Sequence, residues 1–444
     1  MDEKGSDFVK RATEISEILY AFSSDLLQKD DLEKFYYDGT MKSRVGDANK
    51  SPIEVIYKSC TRTSKSAYLL LGHIGCGKST ELNELKKKLK KEDYLVEDIN
   101  FKKEIDMVSP TVWDLLLLIT EKLLRIADEI NCDIDDYTLN SLLGCFTERE
   151  ETREFVEEAG FSLDGGVKVG SSWLKTFIEL FVNLSAEVKV GDTTRTVIRE
   201  VVKRRASTWI KYVNQIADVI ADRNSGKRPV LIVEDVDKMD PERAKDLFID
   251  NARTLSDMSF HIIYTFPISL SYDPVFKSIQ GYYSDIILPM IKIKNPDNSV
   301  YEDGIEAIRT IIEKRSSLGL FSEGVTDLLI KKTGGSLRDL FKAIIRAGDR
   351  AENRGNSSID LDDAKWALSD LRNSLTKMIQ KDDYPLLNSL LEPKNRTQID
   401  KTEHLLKMMQ AQVVLEYHNG KRWQDVHPLV TDFLGEIEID ESSN

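Results

Sequence analysis

One run constrains this chain more than any other: Tyr68 to Thr80, YLLLGHIGCGKST. Ala67 to Leu71 is a strand-like apolar stretch, and Leu82, Leu85 and Leu89 recur at helical spacing just after it. Gly72, four further residues, then Gly77, Lys78 and Ser79 is the spacing of the phosphate-binding P-loop, or Walker A motif. Glycines allow successive backbone N–H groups to curl around phosphates, and the helix N-terminus that follows adds partial positive charge. Lys78 can reach the outer phosphates, and the Ser79 hydroxyl can ligate Mg²⁺. The expected nucleotide-binding residues are therefore Gly72, His73, Ile74, Gly75, Cys76, Gly77, Lys78, Ser79 and Thr80.

A chain of 444 residues exceeds one compact core. Its 41% hydrophobic and 31% charged residues describe an ordinary soluble, folded protein. A net charge of −14 argues against bulk coating of nucleic acid. Cys60, Cys76, Cys132 and Cys145 are scattered with no CxxC pair, so no zinc site is expected and the thiols read as reduced. The opening MDEKG lacks the basic start and apolar core of a signal peptide. Val112 to Ile130 is strongly apolar but carries Asp114, Glu121, Lys122 and Arg125; Trp173 to Val188 carries Lys175, Glu179 and Glu187. The first reads as an amphipathic helix and the second as a core or partner-facing helix, neither as a membrane span, and a cytoplasmic protein with no membrane role is expected.

Along the chain, residues 1–36 carry helical periodicity through Ile15, Ile18, Leu19, Phe22, Leu26 and Leu27. Asp38 to Ser51 reads as a loop, and Pro52 opens a short helix into the P-loop strand. Tyr94 to Phe101 reads as a second strand, followed by a helix from Pro110 to Ile130. From about 131 to 200 the pattern is irregular, with acids at Glu148, Glu150 and Glu151 and a glycine-rich run Phe161 to Gly170, as if inserted into a smaller core. A single long helix is expected from Thr194 to Asp222. Its Lys203, Arg204 and Arg205, like Lys86 to Lys91, read as solvated faces.

Pro229 to Lys238, PVLIVEDVDK, is the second landmark. A continuous apolar strand that ends in carboxylates is the Walker B signature, and ligands bind at that end of parallel strands. By register, Glu234 takes the metal and Asp235 acts as base; Asp235 on metal with Asp237 as base is the alternative. Phe260 to Pro267 reads as a further strand containing Thr265, and Ile286 to Ile293 as the last strand, with Pro289 marking an edge position or an irregularity. Residues 303–368 are helical by pattern, and Ser336 with Asp339 forms a capping-box-like start that puts Arg338 in the first turn of a helix. Tyr384 to Leu391 and Thr402 to Gln410 read as helices, and Val413 to Pro428 as a hairpin turning at Asn419-Gly420.

With these motifs in order, the chain resembles the AAA+ and STAND groups of P-loop ATPases. Its architecture is similar to that of origin-binding initiator ATPases, which join an ATPase core, a helical lid and a winged helix. The resemblance spans about 60–430 as an order of motifs. It implies an α/β P-loop fold with a central parallel sheet: an N-terminal region and lead-in over 1–60, the core over 61–295, the lid over 296–368 and a winged-helix-like domain over 369–444. It also implies ATP as the nucleotide, Thr265 as the sensor 1 polar residue, and Arg338 as the sensor 2 arginine that touches the γ-phosphate. Walker B opens with Glu where Asp is usual, the 131–200 insertion has no counterpart, and Arg253 is the best-placed candidate for a trans arginine finger. Glu-Asp-Val-Asp-Lys with Gly-Gly-Ser-Leu-Arg-Asp-Leu also resembles bacterial ATPases, some from antiviral defence or signalling modules.

Three functions follow. The first is a Mg-ATP-driven switch that acts on a protein partner or on self-assembly, with slow hydrolysis as the reset. The second is an initiator, loader or regulator that binds nucleic acid through the winged helix. Between 376 and 430, eight basic side chains face seven acidic ones, which is weak for phosphate binding, although Lys421 and Arg422 sit at the hairpin turn. The third is a nucleotide-binding module without hydrolysis, against which the intact carboxylates count.

Overall fold

The structure, a computed structural model, describes residues 10–23, 31–46, 51–145, 153, 156–157, 173–190 and 193–442. Leu26, Leu27, the acids at 148, 150 and 151, and the run 161–170 lie outside these residues. In chain order the first elements are α1 (Ile18–Phe22), α2 (Asp31–Phe35), α3 (Thr40–Val45), α4 (Pro52–Arg62), β1 (Ser66–Gly72) and α5 (Lys78–Lys91). Then come β2 (Val96–Asn100), α6 (Phe101–Glu104), α7 (Val112–Glu129), α8 (Asp136–Gly144), α9 (Trp173–Val190), α10 (Thr193–Arg204) and α11 (Ala206–Arg223). Next are β3 (Val230–Glu234), α12 (Pro241–Phe248), α13 (Ala252–Ser256), β4 (His261–Pro267) and β5 (Ser284–Ile287). The remainder is α14 (Glu302–Arg315), α15 (Val325–Lys332), α16 (Leu337–Asn353), α17 (Leu361–Thr376), α18 (Tyr384–Leu391), α19 (Glu403–Gln410), β6 (Val414–Asn419), β7 (Lys421–Val426) and α20 (Pro428–Ser442).

The chain divides into two compact units, Val55–Leu71 with Leu85–Ile286, and Met1–Glu54 with Gly72–Glu84 and Ile287–Asn444. The first holds a five-stranded sheet in the order β2-β3-β4-β1-β5. β2 pairs in parallel with β3, with Asn100 opposite Glu234, and β3 pairs in parallel with β4, with Val230 opposite His261. Val230 to Val233 and all of β4 are buried, which explains why neither strand alternates in sequence. This is an α/β fold in which β1 ends in the glycine loop.

Alongside it, α7 buries most of its length, and the Trp209 indole N–H of α11 donates to Thr120 of α7 at 2.9 Å. Asp114 of α7 accepts the Arg199 guanidinium of α10 at 2.6 Å, so charges that look solvated in sequence fasten helices together. The single helix expected over 194–222 is in fact two. The Arg205 N–H is shared between the carbonyls of Val201 and Val202, each at 3.2 Å, and the chain turns there. The two halves have different neighbours: α10 packs on α7 and α9, and α11 on α7 and α8.

The second unit is largely helical. α16 packs on α1 and α17, with Phe22 edge-on to Phe341 at 5.4 Å. Ser336 accepts the Asp339 N–H at 3.3 Å, as the capping pattern requires. β6 and β7 form an antiparallel hairpin around Gly420, with Asn419 opposite Lys421; α19 packs on β6 and α18 on β7.

Two expectations are corrected here. The loop expected from Asp38 to Ser51 contains α3, whose Met41, Ser43 and Arg44 are buried against α14 and β6; a short helix of modest propensity is held by tertiary packing. The strand expected over Ile286–Ile293 ends at Ile287. Pro289 cannot donate to a ladder, and its carbonyl is taken by the Arg44 side chain.

Candidate nucleotide site

The glycine loop lies in the helical unit, between Gly72 at the end of β1 and Lys78 at the start of α5. Gly75 and Gly77 have φ of +85° and +105°, conformations that L side chains rarely adopt. A Cβ on Gly75 would also collide with the side chain of Arg338. The glycine loop and the first turn of α16, which carries Arg338, are thus in direct contact. Lys78 is 5% exposed and its ammonium donates to the carbonyls of Gly72 and His73 at 2.7 and 2.9 Å. Ser79 is exposed and Thr80 half-buried, and Cys76 is buried as a free thiol.

The C-terminal hairpin touches the same loop. His73 Nε2 accepts the Glu416 N–H of β6 at 2.9 Å, which leaves the ring proton on Nδ1, next to the Met409 backbone. Burial, and then the neighbouring Lys78 charge, push the His73 pKa down to about 3, so the ring is neutral. The Gln412 side-chain amide donates to the Ile74 carbonyl. The Tyr417 hydroxyl donates to the Gly334 carbonyl at 2.6 Å. His73 and Ile74 are positions that the motif leaves free. The residues that reach them lie more than 300 places along the chain, and nothing in the sequence joins them to the loop.

In the sheet unit, Glu234 ends β3 half-buried and opposite Asn100. Asp235 follows in the left-handed region at φ +71°, is 9% exposed, and forms an ion pair with Lys238 at 2.5 Å. Asp237 is buried. Thr265, on the neighbouring strand, is 1% exposed and its hydroxyl has no hydrogen-bond partner among the described residues. A buried hydroxyl left unpaired costs about 1–3 kcal/mol and calls for an explanation. Arg253 is exposed in α13.

These residues fit a magnesium nucleotide. The loop is shaped by glycines whose conformation other residues would strain, and a lysine stands in it. No group of three or more His, Cys, Asp or Glu among the described residues forms a ready-made metal cage. No helix among the described residues is long and apolar enough to cross a membrane.

No protein-family model matches the chain, and no curated protein matches it. Among solved structures it is similar to Cdc6p from Pyrobaculum aerophilum, at 14% identity and a TM-score of 0.35, covering 93% of this chain and 95% of that one. The ORC2 protein of Aeropyrum pernix, in ADPNP and ADP complexes, gives 12% identity, a TM-score of 0.41 and coverage of 85% and 88%. Drosophila ORC bound to DNA gives 9% identity, a TM-score of 0.38 and coverage of 96% and 92%. At these values the likeness carries nothing about chemistry, which rests on the residues above.

Proposed function

We propose that this chain is a Mg²⁺-dependent ATP-binding and ATP-hydrolysing P-loop ATPase that works as a nucleotide-gated switch for a protein partner or for self-assembly, of the kind used in bacterial defence or signalling modules. The observation that carries the reading is the meeting of three elements at the glycine loop: Arg338 against Gly75, His73 bonded to Glu416, and Tyr417 bonded to Gly334. A ligand entering the loop must act on groups that hold the lid turn and the hairpin. Occupancy therefore has differential contacts to act through, which any switch requires.

In this reading the backbone of Gly72 to Thr80 binds the phosphates and Lys78 reaches the outer ones. Arg338 distinguishes ATP from ADP. Ser79 and Glu234 hold Mg²⁺, which supplies charge neutralisation of the phosphates. Asp235 accepts the proton of the attacking water, and the Thr265 hydroxyl positions that water or a phosphate oxygen. The Lys238–Asp235 ion pair restrains the base and favours slow turnover until a partner engages.

The test is Mg-ATP turnover measured over a range of protein concentrations, with Lys78→Ala as the binding control. Slow turnover that vanishes in Lys78→Ala supports the reading. Specific activity that rises with concentration adds completion of the site between subunits. ATP bound equally well by wild type and Lys78→Ala contradicts the assignment.

A second reading, nucleic-acid binding by the hairpin, is favoured by one observation: Lys421 and Arg422 are exposed at its tip. Of the other basic residues counted in this region, Arg396 is buried against Asp425 and Lys407 is paired with Asp383 at 2.9 Å, which lowers the charge available to phosphate. Alanine at both 421 and 422 abolishes DNA retention if this reading holds, and unchanged retention removes it.

A further inference from the structure

Three arginines are buried among the described residues, namely Arg44, Arg315 and Arg396. A guanidinium stays charged in the interior, so each needs compensation. Arg396 has Asp425, at 3.3 Å. Arg315 lies over the rings of Phe341 and Phe35, at 4.5 and 5.4 Å. Arg44, 1% exposed on α3, has no ion pair and no ring contact among the described residues, and the buried Glu81 carboxylate favours its charge without forming an ion pair with it. Its described partners are two carbonyl oxygens, those of Pro289 and of Cys76, the latter at 2.6 Å, and its Nε has none.

Cys76 is the residue before Gly77 in the glycine loop. A trans peptide is planar, with its C=O and N–H pointing in opposite directions. By holding the Cys76 carbonyl, Arg44 fixes the plane of the Cys76–Gly77 peptide and aims the Gly77 N–H away from itself. Gly77 needs its φ of +105° to adopt that plane, and a Cβ there would lie 3.3 Å from Arg44 Nη2. The second Arg44 bond, to Pro289, anchors the guanidinium to the chain that follows β5. A buried cation whose direct partners among the described residues are two carbonyl dipoles, with Glu81 compensating it only from beyond ion-pair contact, lies against a loop shaped for phosphates, where an anion would complete its compensation.

We propose that Arg44 is a positioning residue of the phosphate loop. Its fork sets the Cys76–Gly77 peptide for a nucleoside triphosphate, and its buried charge is neutralised when the polyphosphate binds. The N-terminal helix α3 is therefore part of the nucleotide site. This rests on the nucleotide-binding reading above.

The two effects of removing the side chain have opposite signs, which separates this role from a structural one. In Arg44→Met a buried cation that forms no ion pair among the described residues is gone, so the nucleotide-free protein melts at the wild-type temperature or higher. Its affinity for Mg-ATP, by titration calorimetry, falls at least about tenfold, equivalent to about 1.4 kcal/mol. Arg44→Lys keeps the charge but cannot bridge two carbonyls, and it loses affinity several-fold as well. The proposal is overturned if Arg44→Met melts lower in step with its loss of affinity, or if either variant binds Mg-ATP within twofold of wild type. Should Arg44→Met not fold, Arg44→Lys alone decides by the same twofold criterion. Failure of the nucleotide reading looks different: wild type itself then binds no Mg-ATP, or Lys78→Ala binds it unchanged.

Discussion

Around the glycine loop, carbonyls that point into protein have donors: Gly72 and His73 have Lys78, Ile74 has Gln412, and Cys76 has Arg44. At the ends of β3 and β4 the Thr265 hydroxyl is buried with no partner among the described residues, and Asp235 holds a left-handed backbone beside Lys238. The first is tied to the lid turn and the hairpin, so ligand there is felt elsewhere in its unit. The second keeps an unsatisfied group and a backbone conformation of the kind that clusters at reacting centres. On the function proposed above, sensing falls to the bonded region and chemistry to the one left unsatisfied.

Substitutions that separate the two regions test this contrast. The largest effect is expected for Asp235→Asn: turnover falls by roughly 10²–10⁴, while Mg-ATP affinity stays close to wild type. Loss of binding instead of turnover would make Asp235 a structural group of its strand. Arg338→Ala is expected to reduce the preference for ATP over ADP by about tenfold, as a charge-assisted phosphate contact predicts. Competition binding with both nucleotides measures it, and an unchanged ratio removes Arg338 from the sensing region.

A third substitution concerns stability against pH. An unfolded imidazole takes up a proton below about pH 6.5, whereas burial keeps folded His73 neutral down to about 3. The unfolded state therefore binds more protons in that window. The stability that neutral His73 represents is complete above 6.5 and is lost as pH falls towards 3. His73→Gln should be less stable at neutral pH and flatter between 6.5 and 4 in urea unfolding; an unaltered slope would detach His73 from the hairpin. The smallest effect is expected for Thr265→Val. Removing an unpaired buried hydroxyl leaves stability within about 1 kcal/mol of wild type or raises it, while turnover drops. A large loss of stability would mean that the hydroxyl already has a partner.

Much of the fold was legible because local chemistry agreed with tertiary need. The apolar runs before Gly72 and Glu234 are strands buried on both faces, and the Ser336–Asp339 cap starts its helix where the pattern places it. The hairpin turns at Gly420, whose φ of +72° is one that glycine adopts freely. What could not be read depends on distant partners. Helix α3 looks like a loop because Gly39 and Gly46 flank six residues of modest propensity, and only burial against α14 and β6 holds it. The break at Arg205 carries no proline or glycine to announce it. The residues named by motif lie in the glycine loop, at the start of α5 and α16, and on or just after β3 and β4, whereas Arg44, Gln412 and Tyr417 belong to no motif. Their roles follow from carbonyls that only the folded chain brings to them.

The most direct test of a loop that reports to the hairpin is amide hydrogen exchange with and without Mg²⁺ and a non-hydrolysable ATP analogue. Protection should change in 72–80, around Gly334 to Arg338, and in Met409 to Tyr417 together, and in none of them in Lys78→Ala. Protection that changes in 72–80 alone, with the lid turn and hairpin unmoved, would contradict the switch.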